Sequence, residues 1–284
     1  MQKILDNPEQ LLDIMRTVAR DEILPRFQNL DASDIAEKKP GDLVTVADKA
    51  SEAALRLRLG SLLPGSVVIG EEGYETDPHS LQMIAEEAPV WIVDPVDGTH
   101  NFAHGKQPFT VIVALIKGGK TVGGWIIDPL AEDAVWAIAG SGTWQQAPTG
   151  EISEINRLVK PIKASTMTAG SKLRDRVTRA AADLSSDKPR LVARYRCVGR
   201  EYMDIAQGSL DMARYGGVLK PWDHAAGCLI VREAGGQAVD INTEKPYQAT
   251  PTLSTQSLGV VGNRDHWPAF SSLIRRADEL VSQN

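Results

Sequence analysis

Cysteine is scarce in this 284-residue chain, with Cys197 and Cys228 as the whole complement. Their spacing matches neither a redox motif nor a zinc knuckle, and two cysteines do not make the disulfide framework of a small secreted domain. Both read as buried thiols in a reducing cytoplasm. Long apolar runs are missing too. The longest, such as residues 111–116, fall far short of the roughly 20 residues that a spanning helix needs. The start, Met1-Gln2-Lys3-Ile4-Leu5-Asp6, lacks a signal-peptide core. Basic tracts are absent: 31 Lys and Arg stand against 37 Asp and Glu, for a net charge of −6 and a pI near 5.5. Such a balance argues against a nucleic-acid partner, and the apolar pattern argues against a membrane partner. No repeat and no low-complexity linker interrupts the sequence.

What is present is an alternation of helical and strand patterns, which predicts a layered α/β protein. Pro148, Gly150 and Pro161 mark a division into an N-terminal half, residues 1–150, and a C-terminal half, residues 151–284. With no linker between them, the two halves are expected to pack tightly.

Asn7-Pro8-Glu9-Gln10 predicts a helix start, with Asn7 as cap and Gln10 completing a capping box. Residues 36–42 read as a polar loop whose Lys38 and Lys39 are solvated. Asp48 falls in the first turn of the next helix, where a carboxylate suits the exposed amides. Residues 67–69 form a strand running into Gly70-Glu71-Glu72-Gly73. Strands over 111–116, 122–127 and 134–139 predict an antiparallel meander that residues 140–144 end. Further on, a strand over 166–169 reaches Gly170-Ser171, a helix covers 173–184, and a strand covers 191–194. A helix over 201–207 and a strand over 210–215 follow, the latter broken by Gly216-Gly217. Asp223 stands after Pro221 at the head of another helix, in the place of an N-cap. Strands over 237–241 and 258–261 and a helix over 265–281 complete the pattern.

The chemistry concentrates in Val90-Trp91-Ile92-Val93-Asp94-Pro95-Val96-Asp97-Gly98-Thr99-His100-Asn101-Phe102. An apolar strand ends in two aspartates three positions apart, where Pro and Gly turn the backbone. Such a loop can aim Asp94, Asp97 and the carbonyl of Val96 into one pocket. Carboxylates that close repel unless a proton or a cation lies between them. Oxygen donors without thiolates or imidazoles favour a hard cation, magnesium first. The plainer reading is turn chemistry, since Asp-Pro and Asp-Gly are ordinary turn dipeptides. Glu71, Asp94, Asp97 and Asp223 all stand at the ends or starts of regular elements. Together they suit a site for two or more magnesium ions.

Three segments carry a family resemblance. They are Gly70-Glu71-Glu72; Asp94 through Phe102; and Trp222-Asp223-His224-Ala225-Ala226-Gly227, leading to Glu233-Ala234-Gly235-Gly236. In order and spacing the chain resembles the inositol monophosphatase family of magnesium-dependent, lithium-sensitive phosphatases. The resemblance implies a five-layered αβαβα sandwich, of the kind shared with fructose-1,6-bisphosphatases, and a homodimer. It implies two or three Mg2+ per active site. Glu71, Asp94 and the Val96 carbonyl would hold one ion, and Asp94, Asp97 and Asp223 a second, with a third near Glu71. Catalytic roles fall to Glu71, Thr99 and Asp48, the last two orienting the attacking water. Substrate contacts fall to Asp97, Gly98, Thr99, Gly170, Ser171 and Asp223.

The implied activity is hydrolysis of a small polyol or sugar phosphate like inositol 1-phosphate. Histidinol phosphate and 3′-phosphoadenosine 5′-phosphate are the alternative substrates, and a regulatory protein that keeps the fold is the alternative class. Two departures stand out. His100 replaces a common Thr and reads as a loop residue or as a phosphate-side donor, and Gly216 occupies the position of the inositol-binding Glu, seven residues before Asp223. Arg194 and Arg196 could meet a second anionic group on a substrate, or could simply be solvated.

Overall fold

The computed structural model of the protein describes residues 1–155 and 161–280. In chain order it begins with α1 (Gln2–Leu5) and α2 (Glu9–Val18), followed by a π-helical turn and a 3-10 turn that reach Arg26. A hairpin of β1 (Ile35–Lys39) and β2 (Asp42–Thr45) leads into α3 (Val46–Leu62). Next come β3 (Val67–Gly70), α4 (Glu71–Thr76), β4 (Val90–Asp97) and α5 (Thr99–Ala103). The meander follows as β5 (Thr110–Lys117), β6 (Lys120–Asp128), β7 (Asp133–Ile138), β8 (Thr143–Gln146) and β9 (Ile152–Glu154). After it stand β10 (Thr166–Thr168), α6 (Ser171–Asp183), β11 (Arg190–Val192), α7 (Val198–Gln207) and β12 (Met212–Leu219). Closing the chain are α8 (Pro221–Glu233), β13 (Gln237–Asp240), β14 (Ser254–Val261) and α9 (Trp267–Glu279).

Two sheets organise these elements. A seven-stranded sheet runs β3-β4-β5-β6-β7-β8-β9, with only the β3–β4 pair parallel. A five-stranded sheet runs β11-β10-β12-β14-β13. Strand alternation sorts the large sheet's side chains onto two faces. Trp91, Val93, Val113, Trp125 and Trp136 join α2 and α3 through Leu11, Met15, Leu55 and Leu59. From the opposite face, Ile92, Ile112, Ile126 and Val135 meet α7 and α8. Those two helices also cover the inner face of the small sheet, through Ala213, Leu258 and Val260. Its outer face packs Met167, Met212 and Val261 against α6 and α9. The layers therefore read αβαβα, as the resemblance implies. Helix α8 is buried on almost every side, as a helix sandwiched between two sheets must be. Its fit depends on Gly124, where an added Cβ would lie 2.8 Å from Ala226 Cα.

Several local expectations need correction. Residues 36–42 are not a loop: they are most of the β1–β2 hairpin, which turns at Pro40-Gly41. The first long helix is capped at Pro8 with no side-chain cap bond, so the Asn7–Gln10 capping box does not form. Residues 140–144 do not end the meander, because β8 and β9 extend it. Gly216 and Gly217 do not break β12, which pairs with β14 through both of them. Asp223 is the third residue of α8, and Lys220 takes the N-cap position. The expected end of the last helix, Val281, lies outside the described residues.

Gly124→Val should lower stability by about 1–3 kcal/mol, because the overpacked contact has rigid helix backbone on its far side. Gly60→Ala, in the last turn of α3 with nothing within 4 Å of the added Cβ, should instead stabilise by up to about 1 kcal/mol. Urea denaturation of both variants checks the pair.

Candidate metal centre

Each acidic residue is delivered by a junction between elements. Glu71 begins α4 immediately after β3. Asp94 and Asp97 lie three apart on β4, a spacing that would send their side chains to opposite faces of a regular strand. The β4–β5 register slips between them: Asp94 pairs with Ile112 and Asp97 with Thr110, one extra residue on β4. That bulge turns both carboxylates toward one cavity. Asp223 comes from the first turn of α8.

One carboxylate oxygen from each of Glu71, Asp94 and Asp223 lies within 4.8 Å of the others, and this is the one such cluster among the described residues. It opens into a cavity of about 180 Å3 that Asp42, Val96, Asp97, Gly98, Thr99, His100, Arg196 and Lys220 also line. At that separation two full charges repel by roughly 3–4 kcal/mol in an effective dielectric of about 20. Burial, then Glu71, Asp97 and Asp223, push the Asp94 carboxyl well above the usual range. Burial and then Glu71 do the same to Asp223, against the pull of Lys220. Glu71 goes the other way. Burial pushes it up, but Lys220 and Lys38 more than reverse this, and it ends below the ordinary value. A cluster of oxygen donors that repel one another, with no sulfur or imidazole among them, fits a hard cation.

Asp97 is held differently. Its Oδ2 accepts from Gly199 N at 2.6 Å, Thr110 Oγ1 at 2.9 Å and Cys197 Sγ at 3.1 Å, and Oδ1 accepts from Val198 N at 3.1 Å. The carboxylate thus ties β4 to the positive end of α7. Oδ1, with one donor, keeps more capacity than Oδ2.

Asp48 does not line the cavity; it touches a lining residue, Thr99. The capping box of α3 fixes its Oδ2, which accepts from Thr45 N at 2.8 Å and Thr45 Oγ1 at 2.6 Å. Its Oδ1 lies 3.0 Å from the Thr99 hydroxyl, which also lies 2.9 Å from the Val96 carbonyl. Burial pushes Asp48 up to about 6, against the lowering bonds from Thr45 and Thr99. Gly98 turns the chain between β4 and α5 at φ +94°, and a Cβ there would meet Pro108 O at 3.0 Å.

Other expected residues stand apart. Gly170 and Ser171 are exposed at the start of α6 and do not line the cavity, and neither does Gly216. A Cβ on Gly216 would meet the Arg214 guanidinium at 2.4 Å, so a larger residue there must displace that arginine. Arg194 is half-buried and its guanidinium is already paired. It pairs with fully buried Glu201 at 2.9 Å and lies 4.6 Å from the centre of the Tyr215 ring. Arg196 is exposed at the cavity beside His100, its Nη1 3.0 Å from the His100 Nε2. Lys38 is not a solvated lysine, since it bonds Glu71 and Glu72. Both cysteines are free and buried, as expected.

Sequence reasoning missed Asp42, Lys220, Thr110 and the contact of Cys197 with Asp97. Lys220 alone had a signal, its place three residues before Asp223. A roomier groove of about 1130 Å3 runs along α3 and α4 past Lys38, Glu52 and Glu72, away from the three converging carboxylates.

In the metal-free protein, a carboxyl whose value is raised by folding binds more protons folded than unfolded. Stability then falls as pH rises through the interval above the usual carboxylate value. Asp94→Asn in the presence of a chelator should therefore be more stable than wild type at pH 7, with the difference shrinking as pH falls toward 4. Thermal denaturation across that range checks it.

Comparison with known proteins places these features in context. The family model described as "Inositol monophosphatase family" matches residues 7–281. An inositol-1-monophosphatase of Bacillus subtilis is 31% identical over 212 residues, 73% of this chain and 76% of its own length. Inositol monophosphatase 2 of Solanum lycopersicum is 33% identical over 210 residues, 72% of this chain and 77% of its own. Among solved structures, a Thermotoga maritima IMPase superposes with a TM-score of 0.75 at 20% identity, covering 98% of this chain and 99% of the other. SaIMPase-II with inositol monophosphate bound superposes at 0.71 and 22% identity, with 96% of each chain covered.

Proposed function

The chain belongs to the inositol monophosphatase family, a family of phosphatases that hydrolyse phosphate monoesters, and we propose that it is a magnesium-dependent phosphomonoesterase for a small polyol or sugar phosphate of the inositol 1-phosphate kind. The observation that carries this reading is the convergence of Glu71, Asp94 and Asp223 from three separate elements to within 4.8 Å. An acidic cluster alone would repel a phosphate ester, so a substrate of that charge needs cations between itself and the carboxylates. SaIMPase-II, which has this fold, holds inositol monophosphate, and the curated relatives are inositol monophosphatases.

Glu71, Asp94, Asp223, the Oδ1 of Asp97 and the carbonyl of Val96 would hold the ions, two or three in number. Magnesium supplies positive charge that acidifies a water and offsets charge building on the leaving oxygen. The chain's own residues do the rest. Thr99 presents its hydroxyl oxygen to the attacking water, and Asp48, fixed by Thr45, accepts the Thr99 hydroxyl hydrogen bond at Oδ1 and so turns the hydroxyl's lone pairs toward that water. Asp48 is a positioning residue in this scheme. The amides that follow Gly98, beginning with that of Thr99, face the phosphate, and Asp97 holds the C-terminal half to the site through α7. The halves 1–150 and 151–284 thus contribute to one reaction. Free thiols at Cys197 and Cys228 suit a reducing cytoplasm. Lithium sensitivity and a homodimer complete the proposal.

A phosphate-release screen over inositol 1-phosphate, histidinol phosphate, fructose 1,6-bisphosphate and 3′-phosphoadenosine 5′-phosphate tests it. Turnover of at least one of these esters should require Mg2+ and fall with added Li+. Asp94→Asn should lower kcat at least about a thousandfold, and Thr99→Ala about a hundredfold, as expected for losing a charge-stabilising group and a proton-handling group. Turnover by Asp94→Asn at the wild-type rate would exclude the metal role of that residue.

A further inference from the structure

The acidic centre holds two ammonium groups of its own. Lys38 on β1 and Lys220 just before α8 converge on a single oxygen: their Nζ atoms lie 3.0 and 2.9 Å from Glu71 Oε1. All three side chains are shielded, with exposures of 11% for Lys38, 30% for Lys220 and 13% for Glu71. An ammonium taken out of water needs a partner, and Glu71 is that partner for both. Yet Glu71 is also one of the three carboxylates that converge as a cation site. It is claimed twice, by the lysines and by the cluster.

The two lysines differ in what remains to them once Glu71 is taken. Lys38 also donates to Glu72 Oε1 at 2.9 Å, so it keeps a carboxylate. Lys220 has no second carboxylate within ion-pair distance among the described residues, and it lines the same cavity as Gly98 and Thr99. A lysine head group on a flexible four-carbon stem is a point charge well suited to phosphate.

We infer that Lys38 and Lys220 are resident counter-ions that compete with the divalent cation for Glu71, and that cation binding transfers Lys220 from Glu71 to the substrate's phosphate. The inference rests on the metal-dependent reading above and adds a regulation of that site. Without phosphate, a cation and two displaced ammonium groups face one another and binding is weakened. With phosphate present, its charge lies between them, so cation and phosphate each tighten the other.

Calorimetric titration of Mg2+ into the metal-free full chain tests the competition. Lys220→Met keeps the stem and removes the charge, and should bind Mg2+ about tenfold more tightly than wild type, the size expected for removing a charge in close contact. Lys38→Met should shift in the same direction. Lys39→Met controls for net charge, because Lys39 is 71% exposed and 3.9 Å from Glu75; screening should hold its effect below about twofold. Titration of orthophosphate into the Mg2+-saturated protein should show the opposite sign, with Lys220→Met weakened about tenfold.

In chelator, Lys220→Met should also melt below wild type, since Glu71 is left with less compensation. Should Lys220→Met fail to fold, Lys220→Gln and Lys38→Met read the same competition. Mg2+ affinity no tighter in the lysine variants, with wild type binding normally, overturns this inference alone. Unchanged phosphate affinity in Lys220→Met overturns the transfer. Wild type that takes up no Mg2+ overturns the metal reading and the inference together.

Discussion

Repulsion among Glu71, Asp94 and Asp223 is the constraint on which the rest of the structure depends. A chain left to itself would move such carboxylates apart into water. Here Asp94 and Asp223 are attached to elements, β4 and α8, whose apolar burial is worth far more than the repulsion, and Glu71 directly follows the largely buried strand β3. Asp94 sits on a strand whose every residue is buried, and Trp91 on that strand packs 6.2 Å from Trp125, centre to centre. One fully buried indole contributes about 5 kcal/mol, at about 25 cal/mol per Å2 over roughly 200 Å2. Two or three such residues outweigh the repulsion at the site, so folding can impose a geometry that the charges oppose.

The third carboxylate requires the second half of the chain. Helix α8 reaches the site because it lies between the two sheets, where Gly124 admits its backbone against β6. Asp97 secures the same junction by electrostatics, accepting the first amides of α7. The site therefore exists only when both sheets are in place. Its stored repulsion is partly answered by Lys38 and Lys220, and a divalent cation would answer it more fully, which links metal uptake to the stability of the whole fold.

Much of this was legible in the sequence because it is local or periodic. The apolar strand running into Asp94, the helix with Asp48 in its first turn and the helix carrying Asp223 each show in a short window, and the three matched segments identified the family and its layered fold. The unseen features are those created by pairing between distant segments. The β1–β2 hairpin looks like a polar loop because its strands are short, charged and only partly buried, and with it went the position of Lys38. Asp94-Pro95-Val96-Asp97 alone suggests a turning loop that aims both aspartates into one pocket, whereas both stay on β4 and the β4–β5 bulge, a property of two strands, brings them together. Gly216-Gly217 reads as a break by composition, whereas pairing with β14 carries the strand through both glycines. Arg194 looked free because its partner, Glu201, comes from a helix that begins beyond it.

The central claim is that these carboxylates are a cation site formed by the fold. Anomalous diffraction from crystals of the protein grown with Mn2+, a scatterer that takes the same oxygen ligands, tests it most directly. The account predicts at least one anomalous peak bounded by carboxylate oxygens of Glu71, Asp94 and Asp223, with Lys220 turned away from Glu71. An empty cluster at saturating Mn2+, with Lys38 and Lys220 still on Glu71, would contradict it.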